Sequence, residues 1–285
     1  MEQDQAAKLR SRIKSLHGNY EAKTIAIVSG KGGVGKSNFA LNFSISLQDK
    51  GKKVLLIDLD IGMGNIDILL GQTSTYSIIQ MLEKKIQIYD IIESGPKGLS
   101  YITGGSAHNE IFTVNNDNSN YFIEQLELVF NQFDFIIFDM GAGVTKESIQ
   151  FILAADECIV LTTPEPTSLT DGYAMVKHIL SYKNMSLHLV VNRVLNEKQG
   201  KQVVDRFSVA VSKFLNAQIV PLGYIPDDSS VSKAVIKQIP FTTFNSKSNA
   251  SVALMEMTNQ FLGIVPRKEK GSNFLKNLLK YFAEG

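Results

Sequence analysis

One cysteine, Cys158, is present in 285 residues. A single thiol excludes an intrachain disulfide framework and any metal site built on a cysteine pair within one chain. Its setting, the apolar run CIVLTT, reads as a small core position. The four histidines, His17, His108, His178 and His188, are scattered without metal-ligand spacing. Charge of one sign is missing too: 29 basic residues against 28 acidic ones leave a net charge of +1. Proteins that coat DNA without sequence preference carry a basic excess, so DNA is not an expected partner. No apolar stretch approaches the roughly 18 residues of a membrane span. The polar start, MEQDQAAKLR, is no signal peptide. No Pro/Gly/Ser-rich linker divides the middle of the chain. The expectation is a cytoplasmic protein with one large α/β domain, its core supplied by a composition that is 44% hydrophobic.

Short apolar runs recur at 24–29, 54–58, 99–103, 135–139, 158–162, 187–192 and 219–225. Most are continuous rather than alternating, as when both faces of a parallel strand are covered. Helix-like segments at 37–49, 121–130, 146–154, 168–178 and 198–215 fall between several of them. The alternation predicts a doubly wound, mostly parallel sheet flanked by helices. Ligands of such sheets sit at the carboxyl ends of the strands. Gly30, Asp58, Asp60, Asp139 and Asn192 all fall there.

Between the first two runs lies GKGGVGKS, residues 30–37, an intact G-x-x-x-x-G-K-[ST] with a strand before it and a helix after it. Glycines let successive backbone N–H groups turn inward around phosphate oxygens, and the helix start adds partial positive charge. The expected nucleotide contacts are Gly30, Lys31, Gly32, Gly33, Val34, Gly35, Lys36, Ser37 and Asn38. Lys36 reaches the β- and γ-phosphates of ATP, and the Ser37 hydroxyl serves Mg²⁺.

The extra lysine, Lys31, carries a resemblance. GKGGVGKS is similar to the deviant Walker A signature of the MinD/ParA family of P-loop ATPases, over roughly residues 23–265. The resemblance implies an ATP-sandwiched homodimer in which Lys31 reaches the partner's phosphates, with Asp171 of TTPEPTSLTD pairing with and steering it. IDLDIGMGNID, residues 57–67, resembles the family's first switch. By position Asp58 supports Mg²⁺, Asp60 orients the attacking water, and Asn65 shares the mobile segment. FIIFDMGAGV, residues 135–144, resembles the Walker B strand and second switch, with Asp139 near the metal and Gly141 offering its N–H to the γ-phosphate. An acid ending an apolar strand can also be a turn or cap residue. The resemblance puts Asn192 of VVNRV at the adenine edge, makes Arg193 a further nucleotide contact, and sets Pro226 and Asp227 of GYIPDD against the base from the other side. Nitrogenase-type reductases and iron–sulfur scaffolds share the loop but need cysteine ligands that this chain lacks.

The two ends, 1–20 and 266–285, flank the ATPase domain at 21–265. In FLKNLLKYFAEG, Phe274, Leu275, Leu278, Leu279 and Phe282 share one helical face, with Lys276 and Lys280 opposite. Such a helix can lie on anionic lipid or pack on its own domain. It resembles the membrane-targeting tail of MinD-like proteins, which implies peripheral attachment at the inner face of the cell membrane when ATP is bound. At the other end, Asp4, Gln5, Ala6, Leu9 and Arg10 belong to DQAAKLR, which resembles the DQAxxLR activator motif of the family's flagellar-placement branch. That resemblance implies stimulation of the SRP-type GTPase FlhF, with Gln5 the candidate for positioning water, and contact with flagellar switch or C-ring components. A regulator of division-site placement is the alternative, and a DNA-bound partition ATPase is a third.

Overall fold

The computed structural model describes residues 22–60, 64–105, 116–143, 145–264 and 274–284. The activator segment, 1–20, lies outside the described residues. In chain order the elements are β1 (Lys23–Val28), α1 (Lys36–Gln48), β2 (Val54–Leu59), α2 (Ile66–Leu70), α3 (Ile78–Lys84), β3 (Glu93–Ser94), β4 (Ser100–Ile102), α4 (Asn116–Val129) and β5 (Phe135–Met140). They continue as α5 (Lys146–Ala154), β6 (Glu157–Thr162), α6 (Pro166–Tyr182), β7 (Ser186–Val194), α7 (Glu197–Leu215), β8 (Val220–Pro226), α8 (Ser229–Ile236), α9 (Phe241–Phe244), α10 (Asn249–Ile264) and α11 (Phe274–Glu284).

The strands form one sheet in the order β3-β4-β2-β5-β1-β6-β7-β8. Seven of the eight run parallel; β3 pairs antiparallel at the edge. Every residue of β2 and β5 is buried, which explains their unbroken apolar sequence. β3 has two residues and no pattern to read. The short helix α3 starts on a capping box in which Ser77 and Gln80 satisfy each other's backbone N–H groups.

Two cores lie on opposite faces of the sheet. Phe39, Phe43, Ile66, Phe241, Leu254 and Phe261 fill the side covered by α1, α2, α9 and α10. Phe122, Phe151, Val176, Phe207, Phe274 and Leu278 fill the side covered by α4, α5, α6, α7 and α11. The terminal helix α11 is thus part of the second core. Phe274 stacks on Phe138 at 5.0 Å and on Phe130 at 5.7 Å, and Phe282 meets Phe151 edge-on at 5.8 Å. Gln150 Nε2 donates to the carbonyl of Tyr281 at 2.8 Å. The face expected to meet lipid is turned inward here: Phe274 and Leu278 are fully buried, and only Leu279, 45% exposed, lies largely outside. The reason is physical, since β5 and helices α4 and α5 present an aromatic surface that water would otherwise cover.

Candidate nucleotide site

The loop between β1 and α1 is the P-loop, and its glycines do two different things. Gly33 and Gly35 have φ of 77° and 92°, the left-handed region that glycine enters without a Cβ penalty. Gly30 is required by contact, because a Cβ there would stand 2.2 Å from the backbone of Asp171 in α6. Ser29, buried just before the loop, donates its hydroxyl to the carbonyl of Lys31 at 3.0 Å. Its own carbonyl accepts the N–H of Gly143 at 3.2 Å, tying the loop to the segment after β5.

The two lysines of the loop face different environments. Lys36 is buried and pairs with Asp139 Oδ1 at 2.7 Å. Lys31 lies at the surface, where its ammonium donates to Glu165 Oε2 and Thr167 Oγ1, both at 3.0 Å. Asp171 is not the partner of Lys31 here; its backbone packs on Gly30 instead. Glu165 opens α6 and therefore overhangs the loop, a proximity that sequence spacing does not reveal.

Parallel register sets Asp58 of β2 directly beside Asp139 of β5. Burial, reinforced by the Asp139 carboxylate, pushes Asp58 up to about 7, against the backbone N–H groups of Asn65 and Asp60 and the charge of Lys36. The Oδ1 of Asp58 accepts from Asp60 N at 2.9 Å, and Oδ2 accepts from Asn65 N at 2.9 Å and Ile66 N at 3.4 Å. Asp60 is raised by its own burial, and its carboxylate faces Gly141, where an added Cβ would stand 3.3 Å away. The segments that follow β2 and β5 therefore meet. Gly104 and Gly105, which sequence reasoning passed over, let the end of β4 close on this region: a Cβ on Gly104 would lie 2.9 Å from the carbonyl of Asp58. The double glycine after a strand was the available signal.

At the far side, Asn192 Nδ2 donates to the carbonyl of Val34 at 2.8 Å, so this residue props the P-loop. A register shift between Asn192 and Val194 puts Arg193 at φ 59°, and Asp227 N reaches the carbonyl of Val194 at 2.8 Å. Asn192, Arg193, Pro226 and Asp227 are thus brought together at the ends of β7 and β8.

This donor set fits a Mg–nucleotide. Asp139 Oδ2 is buried with no hydrogen-bond partner, and Ser37, Asp58 and Asp139 carry the kind of hard oxygen atoms that Mg²⁺ prefers. Sheet, phosphate loop and paired carboxylates define a P-loop nucleoside triphosphatase. A family model, ParA, described as a NUBPL iron-transfer P-loop NTPase, matches residues 21–262. The chain belongs to the MinD/ParA family of P-loop ATPases. Among its relatives, antiactivator FleN of Pseudomonas aeruginosa is 29% identical, covering 85% of this chain and 86% of that protein. The flagellum site-determining protein YlxH of Helicobacter pylori is 33% identical, covering 91% and 90%. The crystal structure of the cell division ATPase MinD of Pyrococcus furiosus aligns with a TM-score of 0.71 at 23% identity, covering 86% of this chain and all of that one. The chain is a P-loop ATPase of that family; the septum site-determining protein MinD of Pyrococcus horikoshii, a fold neighbour at 23% identity, is complexed with Mg-ADP. The one cysteine of the chain, Cys158, is buried. Among the described residues no helix is long and apolar enough to cross a membrane.

Proposed function

We propose that this chain is an FlhG-type ATP-dependent switch that dimerises around ATP, attaches peripherally to the inner face of the cell membrane, and governs flagellar number and placement. The observation that carries the switch reading is the divergence of the two loop lysines. Lys36 is committed to its own site, whereas Lys31 sits at the surface on partners that hold it weakly. On ATP binding Lys36 exchanges Asp139 for the β- and γ-phosphates. Ser37, Asp58 and Asp139 would hold Mg²⁺, which neutralises charge between the phosphates. Lys31 leaves Glu165 for the phosphates of the second subunit, Asp60 orients the attacking water, and the N–H of Gly141 faces the γ-phosphate.

The flagellar reading rests on DQAAKLR at 4–10 together with the similarity to FleN and YlxH. In it, Asp4, Gln5, Ala6, Leu9 and Arg10 engage the GTPase FlhF, and the body contacts components of the flagellar switch. The burial of Phe274 and Leu278 adds regulation, because a tail packed on the monomer must undock before it meets lipid. The test is GTP hydrolysis by purified FlhF. The full chain should stimulate it, and removal of residues 1–20 should abolish stimulation while leaving ATP hydrolysis intact. No stimulation from the full chain would favour the division-site reading, and stimulation that survives the deletion would take the activating role away from residues 1–20.

A further inference from the structure

The switch region is also held from outside the nucleotide site. Helix α2 starts at the Asn65 and Ile66 amides that bond the Asp58 carboxylate, and it ends at Gly71, φ 61°. Against that end lies Gln238, in the turn between α8 and α9. Its Nε2 donates to the carbonyl of Ile68 at 2.9 Å, and a Cβ on Gly71 would stand 3.1 Å from the Gln238 Cβ. Gln238 itself has φ 55°, a conformation that strains any residue with a Cβ and that glycine would take freely. What the glutamine adds over glycine is this hydrogen bond. That φ closes α8 in a Schellman-type cap, with Gln238 N on the Val235 carbonyl and Ile239 N on the Ala234 carbonyl, both at 3.0 Å.

The same turn is tied to the phosphate loop. Four residues on, Thr242 donates its N–H and hydroxyl to Asn42 Oδ1, at 3.0 and 2.9 Å. Asn42 is fully buried in α1, and its Nδ2 donates to the carbonyl and Oδ1 of Asn38, at 2.8 and 2.9 Å. Two donated and two accepted bonds fill the amide's capacity. Asn38 follows Ser37. A continuous set of contacts therefore runs from the helix at the P-loop, through residues 238–242, to α2 and back to Asp58.

We propose that residues 238–242 are a brace that fixes α2 relative to the P-loop helix, and that Gln238 is a positioning residue, acting through α2 on the orientation of the Asp58 carboxylate. The inference rests on the placement of Asp58 on the metal side of the ATP site. Two variants of this surface residue test it. Gln238→Ala removes the bond and keeps the strain; Gln238→Gly removes both. In either, hydrogen exchange at the Leu69, Gly71 and Gln72 amides, which are bonded within and just beyond α2, should quicken about three- to ten-fold, the span set by one hydrogen bond. The Mg²⁺ concentration giving half-maximal ATP hydrolysis should rise by a similar factor, with ATP affinity measured in EDTA unchanged. Unaltered exchange in Gln238→Gly would overturn the brace. Faster exchange with an unaltered Mg²⁺ requirement would overturn the positioning role. An unchanged Mg²⁺ requirement in Asp58→Asn would instead sink the assignment of Asp58 itself.

Discussion

Lys31 and Lys36 are five positions apart in one loop, and their surroundings predict opposite consequences of losing them. Without Lys36, Asp58 and Asp139 would stand side by side with no cation. Stranding a buried charge costs about 3–5 kcal/mol, so Lys36→Ala should lose both ATP affinity and stability. Lys31 and Glu165 form a surface pair worth about 0–1 kcal/mol. Lys31→Ala should therefore melt like the parent and bind ATP as a monomer, yet fail to dimerise. Calorimetric titration and sizing with ATP decide the matter, and equal losses of affinity would refute the cross-subunit role. A second residue-scale effect sits at the opposite end of the sheet. Burial alone would raise Glu157, but hydrogen bonds from His188 and Lys23 outweigh it and hold the carboxyl below its ordinary 4.5. A depressed folded-state value means stability present above 4.5 and lost as pH falls below it. Denaturation from pH 7 to 3 should show that acid loss, and Glu157→Gln should flatten it, being the weaker protein at pH 7 and converging with the parent in acid. The motif residues of the P-loop were legible one by one, since a phosphate site imposes fixed residue types at fixed spacing. Glu165, Thr167, Asn42 and Gln238 were not, because their partners are 134 to 200 positions away for the first three and 170 for the last.

Among elements, α11 has the most to lose and gain. Its amphipathic pattern was readable, but pattern alone is satisfied equally by a lipid surface and by an apolar groove of the protein. The structure supplies the groove: Phe130, Phe138 and Phe151 receive the helix. Membrane affinity in this state must compete with that docking. Truncating a buried phenylalanine costs about 3–5 kcal/mol, so Phe274→Ala should loosen the tail even without nucleotide. The expected result is faster proteolysis after 264 and more binding to anionic vesicles in ADP than the parent shows. Leu279→Glu, at a partly exposed position, should weaken vesicle binding while leaving the docked helix in place. Proteolysis and vesicle binding that ignore both substitutions would leave α11 as a plain packing element.

At the scale of the molecule, two docked tails and two sites become one device if ATP joins two copies. A single short helix binds lipid weakly, whereas two presented together gain effective concentration, commonly 10²- to 10⁴-fold in avidity. Parent protein should therefore sediment with vesicles far more in ATP than in ADP, and Lys31→Ala should erase the difference while keeping ATP affinity. Binding that persists in Lys31→Ala at the parent level would break the link between dimer and membrane. Because ordering and undocking both oppose attachment, the nucleotide effect should be steepest at low protein concentration, where dimers form only with ATP.

The parallel sheet, the phosphate loop and the acids at the strand ends follow from the order of residues along the chain. Each follows from local chemistry: unbroken apolar runs need cover on both faces, and a phosphate needs glycine, lysine and hydroxyl in order along the chain. The tertiary structure alone decided what those groups touch. Asp58 meets Asp139 through register between β2 and β5, Lys31 meets Glu165 because α6 starts above the loop, and Gln238 meets α2 because the helices after β8 and β2 share one core with α1. Phe274 turns inward for the same reason: an amphipathic helix records that it has an apolar face, and only the packed domain determines which surface buries it.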